Sequence, residues 1–193
     1  MNQNNTRTKI IALTIQKIQQ GQLQQLSLRN LSQQLNLTTG AFYKHFKNKD
    51  DLFYVVSEKL SHRLYAEISP AVVASLPQDP VKALLILGDQ LLDYFINEPP
   101  QVIDFLFFNP SVRTSYPAAS PTSDKFQFLK LTKTVVAAVT RTEHTTVSEH
   151  VLFIQIWSFI QGYGILLKNK IVTKDYHLLE QTLNKLLKGG SYE

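Results

Sequence analysis

With 193 residues, 44% of them hydrophobic and 18% charged, the chain can bury a core in one or two globular domains and is not a disordered tail. The absence of cysteine excludes a disulfide framework and thiol chemistry. A polar start, MNQNNTRTK, and no uninterrupted apolar run of about 18 residues give neither a signal peptide nor a membrane span, so a cytoplasmic protein is expected. The net charge of +5 sits at the front: residues 1–60 hold eight Lys or Arg against three Asp or Glu, whereas residues 61–193 hold twelve of each. Phosphate is attracted to that end.

A first helix starts at Thr6 or Thr8 and runs to about Gln20, with Ile11, Ile15 and Ile18 at helical spacing toward a small core. Gly21 stops it, because glycine accepts the left-handed conformation past a helix end, and Leu23 and Leu26 lead back to the core. Ser27 is a good N-cap for a second helix, SLRNLSQQL, with Leu28, Leu31 and Leu35 inward. Asn36 sits at a turn and tolerates a left-handed backbone. The stretch TTGAFYKHF then begins with Thr38 as a cap. Two short helices this closely joined make a helix-turn-helix, whose second helix would lie in a DNA major groove. Gly40 lies on its first turn and costs roughly 1 kcal/mol against alanine, which a close approach to DNA would justify. Phe42 and Phe46, four apart, fit one buried face. Tyr43, Lys44 and His45 supply outward polar or cationic tips.

Asn48 and Asp51 form a capping box, with aspartate in place of the usual glutamate, for a fourth helix that reaches about Ile68. A boundary is expected within residues 60–80, dividing the chain into a DNA-binding domain, residues 1–60, and a regulatory and dimerisation domain, residues 61–193. The second domain reads as helical throughout: Val81 to Asn97, the apolar VIDFLFF of Val102 to Phe108, a helix capped by Asp124 and running to about Thr142, one from Thr145 or Thr146 to Lys168, and one from Lys174 to Lys188. Pro110 to Ser123, with Pro117 and Pro121, reads as a loop. The centre of the penultimate helix, VLFIQIWSFIQGYGILL, is apolar nearly all round. Burial by its own domain on one side and by a partner on the other accounts for that. A homodimer through approximately residues 145–188 is therefore expected.

The first 60 residues resemble the DNA-binding domain of the tetracycline-repressor (TetR) family. The resemblance rests on the first helix with Gly21, on Ser27 and Leu31, and on TTGAFYKHFKNKDDLF, in which Phe42-Tyr43-Lys44-His45-Phe46 is followed by Asn48-Lys49 and Leu52. It implies an all-α homodimer that represses transcription from a double-stranded, palindromic operator and is relieved by an effector. It also implies that Thr38, Thr39 and Gly40 stand near bases and that Ser27, Tyr43, His45 and Lys49 meet phosphate. Asn36 replaces the family's usual turn glycine. Trp157 to Leu166 is similar to the family's C-terminal tryptophan-histidine-glycine pattern, with Gln161 where histidine would stand.

No GxGxxG, Walker sequence or serine-hydrolase elbow is present, so no enzyme activity and no cofactor are expected. The histidines, His45, His62, His144, His150 and His177, have no zinc-ligand spacing, and Asp89 and Asp93 read as a solvated acidic face. The aromatic second domain suits a cavity for a small apolar or aromatic molecule, with Phe105, Phe108, Phe126, Trp157 and Gln161 as candidate contacts and Tyr116 among the other aromatics. Alternatives to a ligand-relieved repressor are a ligand-independent activator, an architectural DNA-binding protein and, remotely, a helical enzyme.

Overall fold

The computed structural model describes residues 3–110, 112, 126–145 and 147–188. They form an all-α fold, a helix cluster at the N-terminus and a larger helical bundle, with no strand among the described residues. In chain order the helices are α1 (Gln3–Gln19), α2 (Leu28–Gln34), α3 (Thr39–Tyr43), α4 (Lys49–Ser75), α5 (Pro80–Asn97) and α6 (Pro100–Ile103), the last continuing into a π-helical turn (Asp104–Phe108). They are followed by α7 (Gln127–Thr142), α8 (Glu149–Lys168) and α9 (Tyr176–Lys188). Two compact units result, one from Met1–Ser61 with Pro99–Ser123, the other from His62–Glu98 with Asp124–Glu193.

In the first unit α1 buries Ile10, Thr14 and Ile18 fully. The sequence points instead to Ile11 and Ile15, which are only half-buried. Residues 10, 14 and 18 follow one another at i,i+4 spacing, and the polar member is tolerated because Thr14 Oγ1 donates to the Ile10 carbonyl at 2.8 Å. Helices α1 and α2 end in the same way. Gln22 N–H reaches the Lys17 carbonyl across Gly21, whose φ is 73°, and Leu37 N–H reaches the Ser32 carbonyl across Asn36, whose φ is 52°. Both are Schellman closures that need a left-handed residue, which asparagine supplies in the second case.

Helix α4 outruns its expected end near Ile68 and passes through Pro70. Proline removes one intrahelical hydrogen bond, at about 3 kcal/mol. Against that, the stripe of Leu60, Leu64 and Ile68 continues at i+4 to Val72, and all four are essentially fully buried. The apolar run Val102 to Phe108 clusters with the first unit, not with the bundle that sequence order suggests. There Phe105, fully buried, meets Phe53 of α4 edge-on, with ring centroids 5.3 Å apart. Of the expected loop over Pro110–Ser123 only Pro110 and Val112 are described. Tyr116, Pro117, Pro121 and the cap Asp124 lie outside the described residues, as does Thr146.

In the second unit α5 packs on α7, α8 and α9. A Cβ at Gly164 of α8 would stand 2.6 Å from the Phe95 ring of α5, so only glycine fits that crossing. Beside it the Tyr94 phenol is held neutral, its pKa pushed up by burial and by the charge of Glu98. Helix α8 starts at Glu149 under a Ser148 cap, and α9 starts at Tyr176 because Asp175 accepts from His177 N–H (2.8 Å) and Leu178 N–H (3.3 Å). Between them the chain is fastened twice. Tyr163 Oη donates to the Thr173 carbonyl and accepts from Asp175 N–H at 2.6 Å, and Lys174 Nζ lies 2.7 Å from a carboxylate oxygen of both Asp89 and Asp93.

The Asp89–Asp93 pair read from sequence as a solvated acidic face is thus the seat of a lysine. Burial draws Lys174 toward neutrality, but the hydrogen bonds and charges of the two aspartates outweigh it, so its pKa lies above the ordinary lysine value. A folded-state pKa that is raised stabilises fully below the unfolded value and loses that contribution as pH rises through the raised one. Lys174→Met should therefore cost about 1–3 kcal/mol at neutral pH, with the gap to wild type closing only in strong alkali. Urea unfolding at pH 7 and at the most alkaline pH the fold survives measures both. Equal midpoints at pH 7 would remove the ion pair as a fastening.

Candidate nucleic-acid interface

The interface is built on three short-range caps. Ser27 Oγ accepts from Asn30 N–H at 3.1 Å, Thr38 Oγ1 accepts from Ala41 N–H at 3.1 Å, and Asn48 Oδ1 accepts from Asp51 N–H at 2.8 Å. Each satisfies a helix-start amide that would otherwise need water, an effect of about 1 kcal/mol apiece. The capping box at α4 closes one residue early, since Asp51 takes the Lys47 N–H (3.0 Å) in return. Phe42 and Phe46 are both fully buried, their rings 5.8 Å apart. They anchor α3 from beneath, and this leaves Thr39, Gly40, Tyr43 and Lys44 exposed on its outer side. A Cβ at Gly40 would meet nothing within 4 Å, so no contact inside the protein demands glycine there.

Of the residues singled out in the sequence, Ser27, Thr38, Thr39, Gly40, Tyr43 and Lys44 are exposed, and His45 and Lys49 are half-buried. All eight belong to α2, α3, the start of α4 and the turns that join them. Ser27 and Thr38 spend their hydroxyls on caps, yet keep their exposure. Lys49 Nζ lies 5.1 Å from the centre of the Phe53 ring, and the Arg7 guanidinium of α1 lies 5.2 Å from the centre of the Phe46 ring. Arg7 gives no signal in the sequence, because its place depends on where α1 meets the turn before α4. None of the eight Lys and Arg of residues 1–60 makes an ion pair among the described residues. Positive charge that the protein leaves unneutralised is available to phosphate.

Residues 10–56 match the profile of the family described as bacterial regulatory proteins, tetR family. Two structures of NalD, the secondary repressor of the MexAB-OprM multidrug efflux pump in Pseudomonas aeruginosa, superpose with TM-scores of 0.61 and 0.58 at 15% and 16% identity, covering 100% of each chain. The chain shares the fold of these structures, and its residues 10–56 carry the tetR-family match. The fatty acid degradation regulator FadR from Bacillus halodurans is similar in structure as well (TM-score 0.56, 15% identity, 97% of this chain and 96% of that one). The superantigen pfit is also similar in structure (TM-score 0.56, 13% identity, 95% of this chain and 89% of that one). No curated protein sequence matches. The profile match ends at residue 56 and does not reach Trp157–Leu166, so nothing in it supports the tryptophan-histidine-glycine subtype.

The candidate ligand contacts divide between the two units. Phe105 and Phe108 belong to the first unit, and Phe126, Trp157 and Gln161 to the second. The second unit contains a cavity of about 20 Å³ between α5, α7, α8 and α9, walled by Leu84, Leu87, Leu91, Ile156, Trp157 and Leu183 among others. That is room for little more than one water molecule. Trp157, which stacks on Phe153 at 5.9 Å, is the one candidate in its wall. Gln161 lies on the same helix outside the wall, and its Oε1 is buried with no hydrogen-bond partner, as is that of Gln155. Thr132 is the polar member of the wall, but its hydroxyl already donates to the Phe128 carbonyl at 3.0 Å.

Proposed function

We propose that the chain is a homodimeric, sequence-specific DNA-binding transcriptional repressor, released from its operator by a small apolar or aromatic effector. The observation that carries this reading is the exposed face of α3, Thr39, Gly40, Tyr43 and Lys44, held rigid by buried Phe42 and Phe46 and flanked by cations without ion pairs. A rigid exposed helix start beside unneutralised charge suits base contacts in a groove combined with phosphate contacts at its edges. Repression itself is carried over from the role stated for NalD.

Dimerisation is supported by α8. Its inner stripe, Leu152, Ile156, Ile160, Tyr163 and Leu167, is buried, while Val151, Ile154 and Leu166 on other faces are 38–48% exposed. Among the described residues this helix alone is long and apolar enough to cross a membrane, yet only 33% of its apolar window is buried. A second copy covering the remainder would take this apolar surface out of water. For effector release, the apolar cavity with Trp157 in its wall would have to widen well beyond about 20 Å³ to admit such a molecule, and the unpartnered Gln161 oxygen lies nearby in sequence. Helix α4 supplies residues to both units and would carry such a signal along its own length.

Selection of bound duplexes from a random-sequence library, followed by binding assays of variants, tests the reading. Thr39→Ala should alter base preference at a defined position by about 1–3 kcal/mol, since a threonine methyl and hydroxyl can both meet base edges. Lys49→Ala should instead weaken binding to all duplexes alike and flatten the salt dependence. An unchanged preference profile for Thr39→Ala, or a loss for Lys49→Ala confined to one base pair, would reverse those roles. Selection of no duplex by the wild-type chain would end the DNA-binding reading.

A further inference from the structure

We propose that Arg7 of α1, outside the helix-turn-helix, is a DNA phosphate contact held in place by the Phe46 ring. The inference rests on the DNA-binding reading above. Three observations meet at this residue. Its guanidinium lies 5.2 Å from the Phe46 ring centre, a separation at which the ring face attracts a cation. It is exposed and has no carboxylate partner among the described residues, so its charge is not spent inside the fold. And Phe46 is no isolated ring: it packs 5.8 Å from Phe42, which in turn meets exposed Tyr43 edge-on at 6.2 Å.

Arg7 is therefore fixed, through two buried rings, to the element that carries Thr39 and Tyr43. Phe46 lies between His45 and Lys47 in the chain, so stacking stations the Arg7 charge against the segment that joins α3 to α4. The Lys49 ammonium is held over Phe53 in the same manner, at 5.1 Å. Two cations at one end of the unit are thus stationed on aromatic faces instead of on carboxylates. A carboxylate partner would neutralise the charge, whereas a ring orients it and leaves its N–H donors free. Arginine suits this arrangement because its planar guanidinium can stack on one side and present a fork of donors at its edge, where phosphate oxygens are received in pairs. Lysine can keep the charge but not the fork.

The test measures affinity against salt concentration for wild type, Arg7→Gln and Arg7→Lys, using a duplex that the wild-type chain has selected from a random-sequence library. For Arg7→Gln the slope of log affinity against log salt should be shallower by about 0.9 for each protomer bound. The wild-type advantage should consequently shrink about three- to fourfold per protomer between roughly 50 and 200 mM salt. Arg7→Lys should restore the slope but only part of the affinity. Thermal unfolding of each variant accompanies the binding curves. A role limited to covering Phe46 would shift the melting temperature and leave the slope untouched, and that result would overturn the proposal. Wild type that binds with a steep slope and Arg7→Gln that matches it would discard Arg7 alone. Failure of the wild type to select any duplex would discard the DNA-binding reading and Arg7 with it.

Discussion

Ile154→Glu in α8 is expected to leave the chain folded and helical, to separate the dimer, and to weaken operator binding roughly a hundredfold or more, as two linked half-site contacts become independent. Ile154 is 48% exposed, on the side of α8 away from the buried line of Leu152, Ile156 and Ile160. Glutamate there costs the single chain little, because water already reaches the site. In a twofold dimer it would set carboxylates into a contact made of Val151, Ile154 and their symmetry mates, and unpaired charge at a closed apolar contact is strongly disfavoured. On α9 the corresponding position is Leu178, 41% exposed, and not Leu179, Leu183 or Leu187, which face inward. Sedimentation with the selected duplex and without it decides the matter. Wild type that is monomeric yet binds DNA fully, or an Ile154→Glu variant that stays dimeric, would sink this face as the interface.

Phe105→Ala should destabilise the first unit by about 3–5 kcal/mol, a large part of the stability of a domain this size. The ring is fully buried and meets Phe53 edge-on at 5.3 Å, so truncation loses both the buried area and the aromatic contact and leaves a void beneath α4. Because Phe53 also seats the Lys49 ammonium, DNA affinity should fall in step with stability. Phe105→Leu, which keeps most of the volume, should recover more than half of the loss. Urea denaturation followed by circular dichroism checks it. A variant with an unchanged midpoint would mean that the core of this unit does not depend on the segment after α6.

What could be read from the chain was whatever is decided within about five residues. Ser27, Thr38 and Asn48 cap because a short polar side chain reaches an amide three positions on, and the distances of 2.8–3.1 Å bear that out. Asn36 closes α2 because a Schellman turn needs a left-handed residue, and its φ of 52° follows from that local demand. Phe42 and Phe46 share a face by helical spacing alone. With these, the all-α class and the helix-turn-helix were legible in the sequence, as was the exposure of Tyr43 and Lys44, whereas His45, expected outward as well, is half-buried.

The tertiary structure decided what depends on partners distant in sequence. Thr14 replaces an isoleucine in the core of α1 because its own helix satisfies the hydroxyl, which hydrophobic periodicity does not register. Helix α4 continues through Pro70 because Val72 has a buried place waiting for it. Asp89 and Asp93 became a lysine seat only when the α8–α9 connection crossed α5. Phe105 joined the first unit, although its sequence neighbours in α5 belong to the other, because α6 folds back on α1. Arg7 acquired an oriented charge from a ring 39 positions away. Local chemistry thus determined where helices begin and end, and packing between distant segments determined which of their side chains are core, which are fastened, and which are left free to meet another molecule.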